Sequence, residues 1–264
     1  MNPVTLIMYL GSFVVFLITV VLTFSNPMVL IDFKSMLITV GGTVMTVLAC
    51  FSPAKVISLL KIFMSRMLGG KVMKYDGTIN EIVELAKASR KGKAAFDANV
   101  KNLQNPFLKE AAEILYWAES DISDVELREL LELRASNIYK VYMEDANMFK
   151  TIAKFPPAFG LMGTTIGMIA LLQNIGGDSS SLGANMAIAL ITTLYGLVLS
   201  NIFVVPVAEN LQKSAKEDKL MRDIVVEGIM LIHAGKPTQY VEEKVVSYLL
   251  PSERPKKDNA GKAA

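Results

Sequence analysis

The feature that most constrains this chain is an apolar stretch from Phe155 to Ile175 that contains no Asp, Glu, Lys, Arg or His. At about 1.5 Å per helical residue, it is long enough to cross a hydrocarbon core of roughly 30 Å. Gly160, Gly163 and Gly167 share one face of such a helix, where a second backbone can come close. We therefore interpret the stretch as a membrane helix that packs against other helices.

The composition and the placement of charge support a membrane protein. Of 264 residues, 52% are apolar, which is more than an ordinary soluble domain contains. Apart from Lys34, every Lys and Arg lies in residues 53–154 or after residue 207. Because Lys and Arg hold adjoining segments in the cytoplasm, this pattern predicts a multi-pass protein with both termini cytoplasmic.

The apolar runs predict an all-α, four-span helical membrane protein with a cytoplasmic helical domain. Tight polar turns separate the spans within each pair, whereas about a hundred mostly hydrophilic residues separate the two pairs. The predicted parts are a transmembrane hairpin at 1–52, a cytoplasmic helical domain at 53–152, a second transmembrane hairpin at 153–207, C-terminal cytoplasmic helices at 208–250 and a disordered tail at 251–264.

Three helix starts are predicted inside the hydrophilic segment. Thr78 followed by Glu81, and Ser123 followed by Glu126, have the spacing of a capping box, in which each side chain accepts from the other's backbone N–H. The pair Asn105-Pro106 predicts a third start, because proline is favoured in the first helical turn.

The sequence lacks the motifs of the common hydrolases and transferases. It has no phosphate-binding Gly-x-x-x-x-Gly-Lys-Ser/Thr loop and no His-Glu-x-x-His or Cys-x-x-Cys spacing, and it contains one Cys and one His. We therefore expect neither catalysis, nor a metal site, nor a bound cofactor, and no nucleic acid partner.

The predicted spans carry Thr hydroxyls but no carboxylate and no histidine. Proton relays in membranes generally use carboxylates or histidines, so an ion-moving complex would take its titrating group from a partner chain. Two interpretations stay open on the residues alone: the hydroxyls line an ion path, or they only pack and the four helices anchor a cytoplasmic domain.

Four short motifs resemble the MotA/PomA family of flagellar stator subunits. They are 157–164 (Pro-Ala-Phe-Gly-Leu-Met-Gly-Thr), 189–196 (Ala-Leu-Ile-Thr-Thr-Leu-Tyr-Gly), Ser200-Asn201 and 206–209 (Pro-Val-Ala-Glu). The resemblance covers nearly the whole chain. It implies a ring, expected to be a homopentamer, in the bacterial inner membrane around the helices of a MotB/PomB-type partner that supplies an intramembrane Asp. The family converts the flow of H+ or Na+ into torque on the rotor switch protein FliG, and the transported ion is the only ligand implied.

The same resemblance implies roles for individual residues of the spans. Pro157 and Pro206 match the family's functional prolines, and proline can form a hinge because it frees backbone carbonyls. Thr193 matches a residue of the ion pathway. Thr164 matches a position that favours sodium, since a hydroxyl oxygen can replace water around Na+. Gly196 extends the set of small residues expected at helix contacts.

Two further residues are expected to contact the rotor. Arg90 matches the family's basic contact residue, and Asp97 is the one candidate for the acidic residues that usually follow it. The plain alternative for Arg90 is a solvated side chain at a helix end. The alternatives for the whole chain are an ExbB/TolQ-type energising subunit, disfavoured because those relatives lack the hairpin of residues 4–51, and a non-conducting scaffold.

Overall fold

In the computed structural model every regular element of the described residues is helical, which confirms the all-α prediction. The structure describes residues 3–67, 75–118, 122–173, 179–252 and 254. The α-helices are α1 (Pro3–Thr23), α2 (Phe33–Met36), α3 (Gly42–Cys50), α4 (Pro53–Met67), α5 (Tyr75–Lys91), α6 (Lys93–Asn102), α7 (Pro106–Ala118), α8 (Asp124–Ile152), α9 (Phe155–Gln173), α10 (Ser179–Val198), α11 (Val205–His233) and α12 (Thr238–Val246). A 3-10 turn at Pro27–Leu30 and π-helical segments at Leu37–Gly41 and Leu199–Val204 complete the set.

The chain forms two compact units. The first combines Met1–Val72 with Tyr142–Lys213, and the second combines Met73–Val141 with Ser214–Ala264. Each unit is therefore built from two separate segments of sequence.

In the first unit, α9 and α10 make the most extensive helix–helix contact. They run antiparallel, because Gly160 lies against Thr193 whereas Gly167 lies against Ala189, nearer the start of α10. The 3-10 turn before α2 is tied to α10 by the Tyr195 hydroxyl, which donates to the Leu30 carbonyl and accepts from the Asp32 N–H at 3.2 Å. These contacts order the apolar helices around α9 and α10.

The second unit has a hydrophobic core contributed by six helices. The fully buried large side chains come from α5, α7, α8, α11 and α12: Ile79, Ile82, Leu85, Leu108, Leu127, Leu131, Ile224, Val225, Ile229, Val241 and Val245. Phe96 of α6 adds a nearly buried ring to the same cluster. The amphipathic spacing of apolar residues in the hydrophilic half of the sequence thus produces a conventional packed core.

One of the capping-box predictions is wrong. α5 begins at Tyr75, about one turn before Thr78, so neither Thr78 nor Glu81 lies at its start. Instead the Glu81 carboxylate accepts from the backbone N–H groups of Gln104 and Asn105, at 3.3 and 3.2 Å. The physical reason is that interior N–H groups already bond within the helix, which leaves these side chains free to stabilise the loop before α7.

The other two starts are confirmed. The Asn105 side chain accepts from the N–H groups of Phe107 and Leu108 at 3.0 and 3.1 Å, which caps α7. Glu126 Oε2 accepts from the Ser123 N–H at 2.9 Å, and Ser123 Oγ accepts from the Glu126 N–H at 3.3 Å. The reciprocal bonds of a capping box therefore begin α8.

Three helical stretches of described residues are long and apolar enough to cross a membrane: Pro27–Cys50, Asp124–Gln173 and Leu182–His233. The apolar segment of α1, Gly11–Thr23, is shorter than these three stretches. The chain is thus a membrane protein by the length and composition of its helices, and the count of four spans stays a prediction.

The predicted boundaries of the five parts also stay predictions, because hydropathy marks where a bilayer would lie, whereas the two units reflect packing. Most of the predicted disordered tail lies outside the described residues. Within it the structure describes Pro251, Ser252 and Arg254, and Arg254 Nε donates to the Leu249 carbonyl at 3.2 Å.

Candidate functional site

The three glycines of α9 are buried and face α10. A Cβ added to Gly163 would lie 2.6 Å from Cβ of Thr192, and one added to Gly167 would lie 2.8 Å from Cβ of Ala189. A Cβ on Gly160 would lie 3.0 Å from the Thr192 carbonyl oxygen. Any larger side chain would push the helices apart. These glycines therefore permit the close backbone approach of α9 to α10, and we call this contact the seam.

Gly196 permits the same approach at the other end of the seam. A Cβ there would collide with the Pro156 carbonyl oxygen and would lie 3.1 Å from the Pro157 Cα. The glycine of α10 therefore lies directly against the prolines that begin α9, and its absence of a side chain sets how closely α10 can pass them.

The hydroxyls of Thr164 and Thr193 meet in the middle of this seam, between the contact of Gly196 with the prolines and the contact of Gly167 with Ala189. They are hydrogen-bonded to each other, although 29 residues separate them in the sequence. Thr164 Oγ1 also lies 3.1 Å from the Gly160 carbonyl and 2.8 Å from the Ala189 carbonyl, and Thr193 Oγ1 lies 3.4 Å from both carbonyls. Both threonines are half-buried, so the cluster has one accessible side.

This oxygen cluster contains the ligand types of a cation site but no acidic or basic side chain. Two hydroxyl oxygens and two carbonyl oxygens are the ligand type that hard cations such as Na+ prefer. Each hydroxyl has one proton to donate and two lone pairs that can accept. With two protons shared among four oxygens, some lone pairs remain available. Part of this hydrogen bonding runs back to the residues' own helices, as the packing interpretation expects.

Two threonines that the sequence reasoning did not select lie beside the cluster. Thr192 is fully buried and donates to the Ile188 carbonyl at 2.8 Å. Its own carbonyl accepts from Thr39 Oγ1 at 3.3 Å, and Thr39 lies in the π-helical segment before α3. A third apolar helix is therefore joined to the seam by a buried hydrogen bond. The only signal in the sequence was a hydroxyl within each apolar run.

Pro157 lies in the first turn of α9, just after α8 ends at Ile152. Proline has no N–H, so it cannot donate to the carbonyl four residues earlier, that of Ala153. The buried hydroxyl of Ser200 donates to this carbonyl at 2.6 Å instead. Ser200 is thus a further residue of the α8–α9 junction that the sequence did not reveal.

Pro206 is the second residue of α11, which directly follows the π-helical segment Leu199–Val204. The first N–H after the segment, that of Val205, donates to the Ser200 carbonyl five residues earlier, as in a π-turn. π-turns are frequent at functional sites, and a wide turn beside a proline is a place where a helix bends. Both predicted hinge prolines therefore lie at interruptions of regular α-helix.

Arg90 and Asp97 lie on either side of the turn between α5 and α6. Arg90 is exposed in the last turn of α5, and Asp97 is half-buried on α6. Gly92, which joins the two helices, has a φ of 110°, a conformation that favours glycine. This turn thus presents the basic and the acidic candidate on neighbouring helices.

Glu113 is an acidic residue that the sequence reasoning missed. It is exposed on α7 and lines a cavity of about 330 Å³ together with Asp97 and Lys101. Phe96 and Val100 contribute apolar walls. Among the described residues, neither carboxylate has a cation within 4.0 Å, so both can pair with a partner. The separation of 16 positions in the sequence concealed this proximity, which the packing of α6 on α7 creates.

Within the described ranges, no group of three or more His, Cys, Asp or Glu side chains is close enough to hold a metal ion. The described residues offer three other candidate features. They are the oxygen-lined seam, the two interrupted helices and the charged surface on α5, α6 and α7.

Comparison with known proteins finds one matching family model. Residues 99–223 match the MotA/TolQ/ExbB proton channel family. Motility protein A of Borreliella burgdorferi is 32% identical over 259 residues, which cover 96% of each chain. Chemotaxis protein PomA of Vibrio alginolyticus is 28% identical over 255 residues, covering 96% of this chain and 98% of PomA.

The fold also resembles solved structures. A chain of the flagellar MotAB stator complex from Bacillus subtilis superposes with a TM-score of 0.83 at 22% identity, covering 95% of this chain and 98% of that chain. A chain of C. jejuni MotAB gives a TM-score of 0.82 at 21% identity, with coverage of 95% and 97%.

Proposed function

Because the chain belongs to the motility protein A members of the MotA/TolQ/ExbB proton channel family, we propose that it is the A-type subunit of a flagellar stator complex. It couples the flow of H+ or Na+ across the bacterial inner membrane to torque on the rotor. It is a motor subunit and not an enzyme, and it uses no cofactor beyond the transported ion.

The observation that carries this proposal is the seam between α9 and α10. Thr164 and Thr193 offer clustered oxygens there, on two helices, α9 and α10, that contain no carboxylate to bind or release a proton. An ion path of this kind requires a titrating group from outside the chain. A MotB/PomB-type partner with an intramembrane Asp supplies it, and this chain supplies the surrounding oxygen ligands.

The complex is a ring, expected to contain five copies of this chain around the partner's helices. The two solved structures with the same fold are of MotAB complexes, which supports the partner type. The Lys and Arg distribution supports an orientation in which both termini and the second compact unit face the cytoplasm. In this arrangement the charged residues on α5, α6 and α7 can reach a rotor protein.

The interrupted helices transmit the change. When the partner's Asp gains or loses an ion, the local charge changes and the packing of α9 and α10 against the partner responds. Pro157 and Pro206 allow bending at the ends of these helices, because neither donates a helical hydrogen bond. The bend moves the following helices, and the motion reaches the cytoplasmic unit through α8 and α11.

The rotor contact is electrostatic. Arg90 pairs with acidic groups of the switch protein FliG, and Asp97 together with Glu113 receives its basic groups. Complementary charges of this kind mainly set the association rate and the register of a contact. Glu113 supplies the second acidic group that the sequence of this region lacks.

The coupling ion is Na+ in this proposal, supported by the Thr164 hydroxyl in the oxygen cluster. The test is swimming speed as external sodium is varied at fixed pH, in a cell whose own stator proteins are deleted and which expresses this chain with its partner. Speed should rise with sodium. A speed that is independent of sodium would assign the proton instead.

The two alternatives differ from this proposal in specific ways. An ExbB/TolQ-type role is disfavoured because the match to motility protein A covers 96% of both chains, which includes the first hairpin. A passive scaffold would tolerate Thr193→Val, which keeps the shape of the side chain and removes its hydroxyl. Thr165→Val is the matched control, since the exposed Thr165 hydroxyl donates to the Leu161 carbonyl of its own helix at 3.1 Å and bonds no other helix among the described residues. Loss of swimming with Thr193→Val alone supports the motor, and retention supports the scaffold.

A further inference from the structure

An apolar cavity of about 560 Å³ opens in the first compact unit. Its walls include Val44 of α3, Leu60 and Phe63 of α4, Phe149 of α8 and Pro156 at the start of α9. Its volume lies within the range of roughly 300–1,000 Å³ that is typical of sites for small organic ligands. It does not overlap the oxygen cluster of Thr164 and Thr193, so the proposed ion path leaves it unexplained.

The chemistry of the walls selects a hydrocarbon occupant. Among the described residues that line the cavity, Thr43 carries the only polar side chain. Its hydroxyl is already used, because it donates to the Thr39 carbonyl at 2.6 Å. A polar occupant would lose its hydration here without gaining a hydrogen bond, which is unfavourable, whereas a hydrocarbon chain loses nothing of that kind.

A basic side chain, Lys61, lies on the helix that forms one wall of the cavity. α4 begins at Pro53, three residues after the apolar α3 ends, and it is an amphipathic helix with lysines at 55 and 61. Lys55 is neutralised by Asp145 at 2.6 Å. Lys61 is exposed, and the described residues place no acidic group within 4.0 Å of it. It lies one turn beyond Ile57 and next to Leu60, both of which line the cavity.

A basic amphipathic helix at the end of a membrane span lies at the bilayer surface, where its lysines attract anionic lipid headgroups. We propose that the cavity binds one acyl chain of an anionic phospholipid, whose headgroup pairs with Lys61. The exposed Lys61 beside an apolar cavity favours an anionic lipid over a second protein helix, because a lipid carries a hydrocarbon chain and a negative headgroup in one molecule. The inference does not rest on the stator function.

The test uses the full chain, purified in a neutral detergent, with phosphatidylglycerol or phosphatidylcholine of identical acyl chains as the probe. Phosphatidylglycerol should raise the melting temperature more than phosphatidylcholine does. Leu60→Trp and Val44→Trp each place an indole in the cavity from a different wall, and each should abolish the shift. Both positions are at least 50% exposed, so the chain should still fold. The control is Leu22→Trp on α1, which is 81% exposed and does not line the cavity.

A second variant tests the headgroup contact alone. Lys61→Gln should remove the preference for phosphatidylglycerol while both lipids still stabilise the chain. The proposal is overturned if both cavity variants retain the wild-type shift, or if a photo-crosslinker at Leu60 attaches to a second copy of the chain and not to lipid. It is also overturned if the wild-type chain does not distinguish the two headgroups.

Discussion

Ser200 and Ala153 are joined by a 2.6 Å hydrogen bond from a buried hydroxyl to a backbone carbonyl, across 47 residues of sequence. The Ala153 carbonyl lies in the turn between α8 and α9, four residues before Pro157, which has no N–H to donate to it. The Ser200 hydroxyl satisfies this acceptor from a different part of the chain. If the junction bends as we propose, its order depends on this side-chain bond and not on a helical one.

Ser200→Ala should destabilise the chain by about 1–3 kcal/mol, the usual cost of leaving a buried polar group unsatisfied. Pro157→Ala adds an N–H four residues after Ala153, and we expect it to donate to the Ala153 carbonyl. Ser200→Ala should therefore lower the free energy of unfolding less in that background. Thermal unfolding of the wild type, the two single variants and the double variant measures this coupling. Strictly additive effects would contradict the shared acceptor. Ser58→Ala, at an exposed serine on α4, is the control.

Gly163→Ala should prevent close packing of α9 on α10. The new methyl group would lie 2.6 Å from Thr192, whose side chain is fully buried and cannot move aside. We expect a loss of folded protein in the membrane, measured by protease resistance and by the yield of assembled complex. Gly183→Ala is the matched control, because nothing lies within 4 Å of its added methyl group. Equal effects of the two would show that the seam is not close-packed.

Asp97→Lys and Glu113→Lys should each reduce torque, and together they should reduce it further, since both carboxylates line the same cavity on the surface proposed to contact the rotor. Tethered-cell rotation at fixed expression measures the effect. A compensating reversal of a basic residue in the switch protein should restore rotation, which simple unfolding would not allow. Glu129→Lys, an exposed charge on α8, should rotate normally. If Glu113→Lys also rotates normally, Glu113 is not part of the contact.

Glu81→Ala should loosen the loop between α6 and α7. The carboxylate accepts two backbone hydrogen bonds from Gln104 and Asn105, and bonds to a charged acceptor contribute about 1.5–3 kcal/mol each. Hydrogen exchange at the amides of residues 103–105 should become faster than in the wild type. Glu84→Ala removes only an exposed ion pair with Lys87 and should leave this exchange unchanged. Unchanged exchange in Glu81→Ala would contradict the assigned role.

The existence and type of the helices could be predicted because each is encoded locally. Apolar runs, capping residues such as Ser123 and Asn105, and prolines report on their own neighbourhoods. The capping-box prediction at Thr78 and Glu81 was wrong because it used only the local spacing of these two residues. The actual partner of Glu81 is a loop 23 residues away. The missed Glu113 likewise needed the packing of α7 on α6.

Composition, charge placement and short motifs are enough to predict that this chain crosses a membrane, that its spans contain hydroxyls without acids, and that it belongs to the stator subunits. Three contacts could be found only from the packed helices: the hydrogen bond between Thr164 and Thr193, the one from Ser200 to Ala153, and the proximity of Glu113 to Asp97. Such contacts depend on how helices distant in sequence approach one another, and side-chain volume across a shared seam decides that approach.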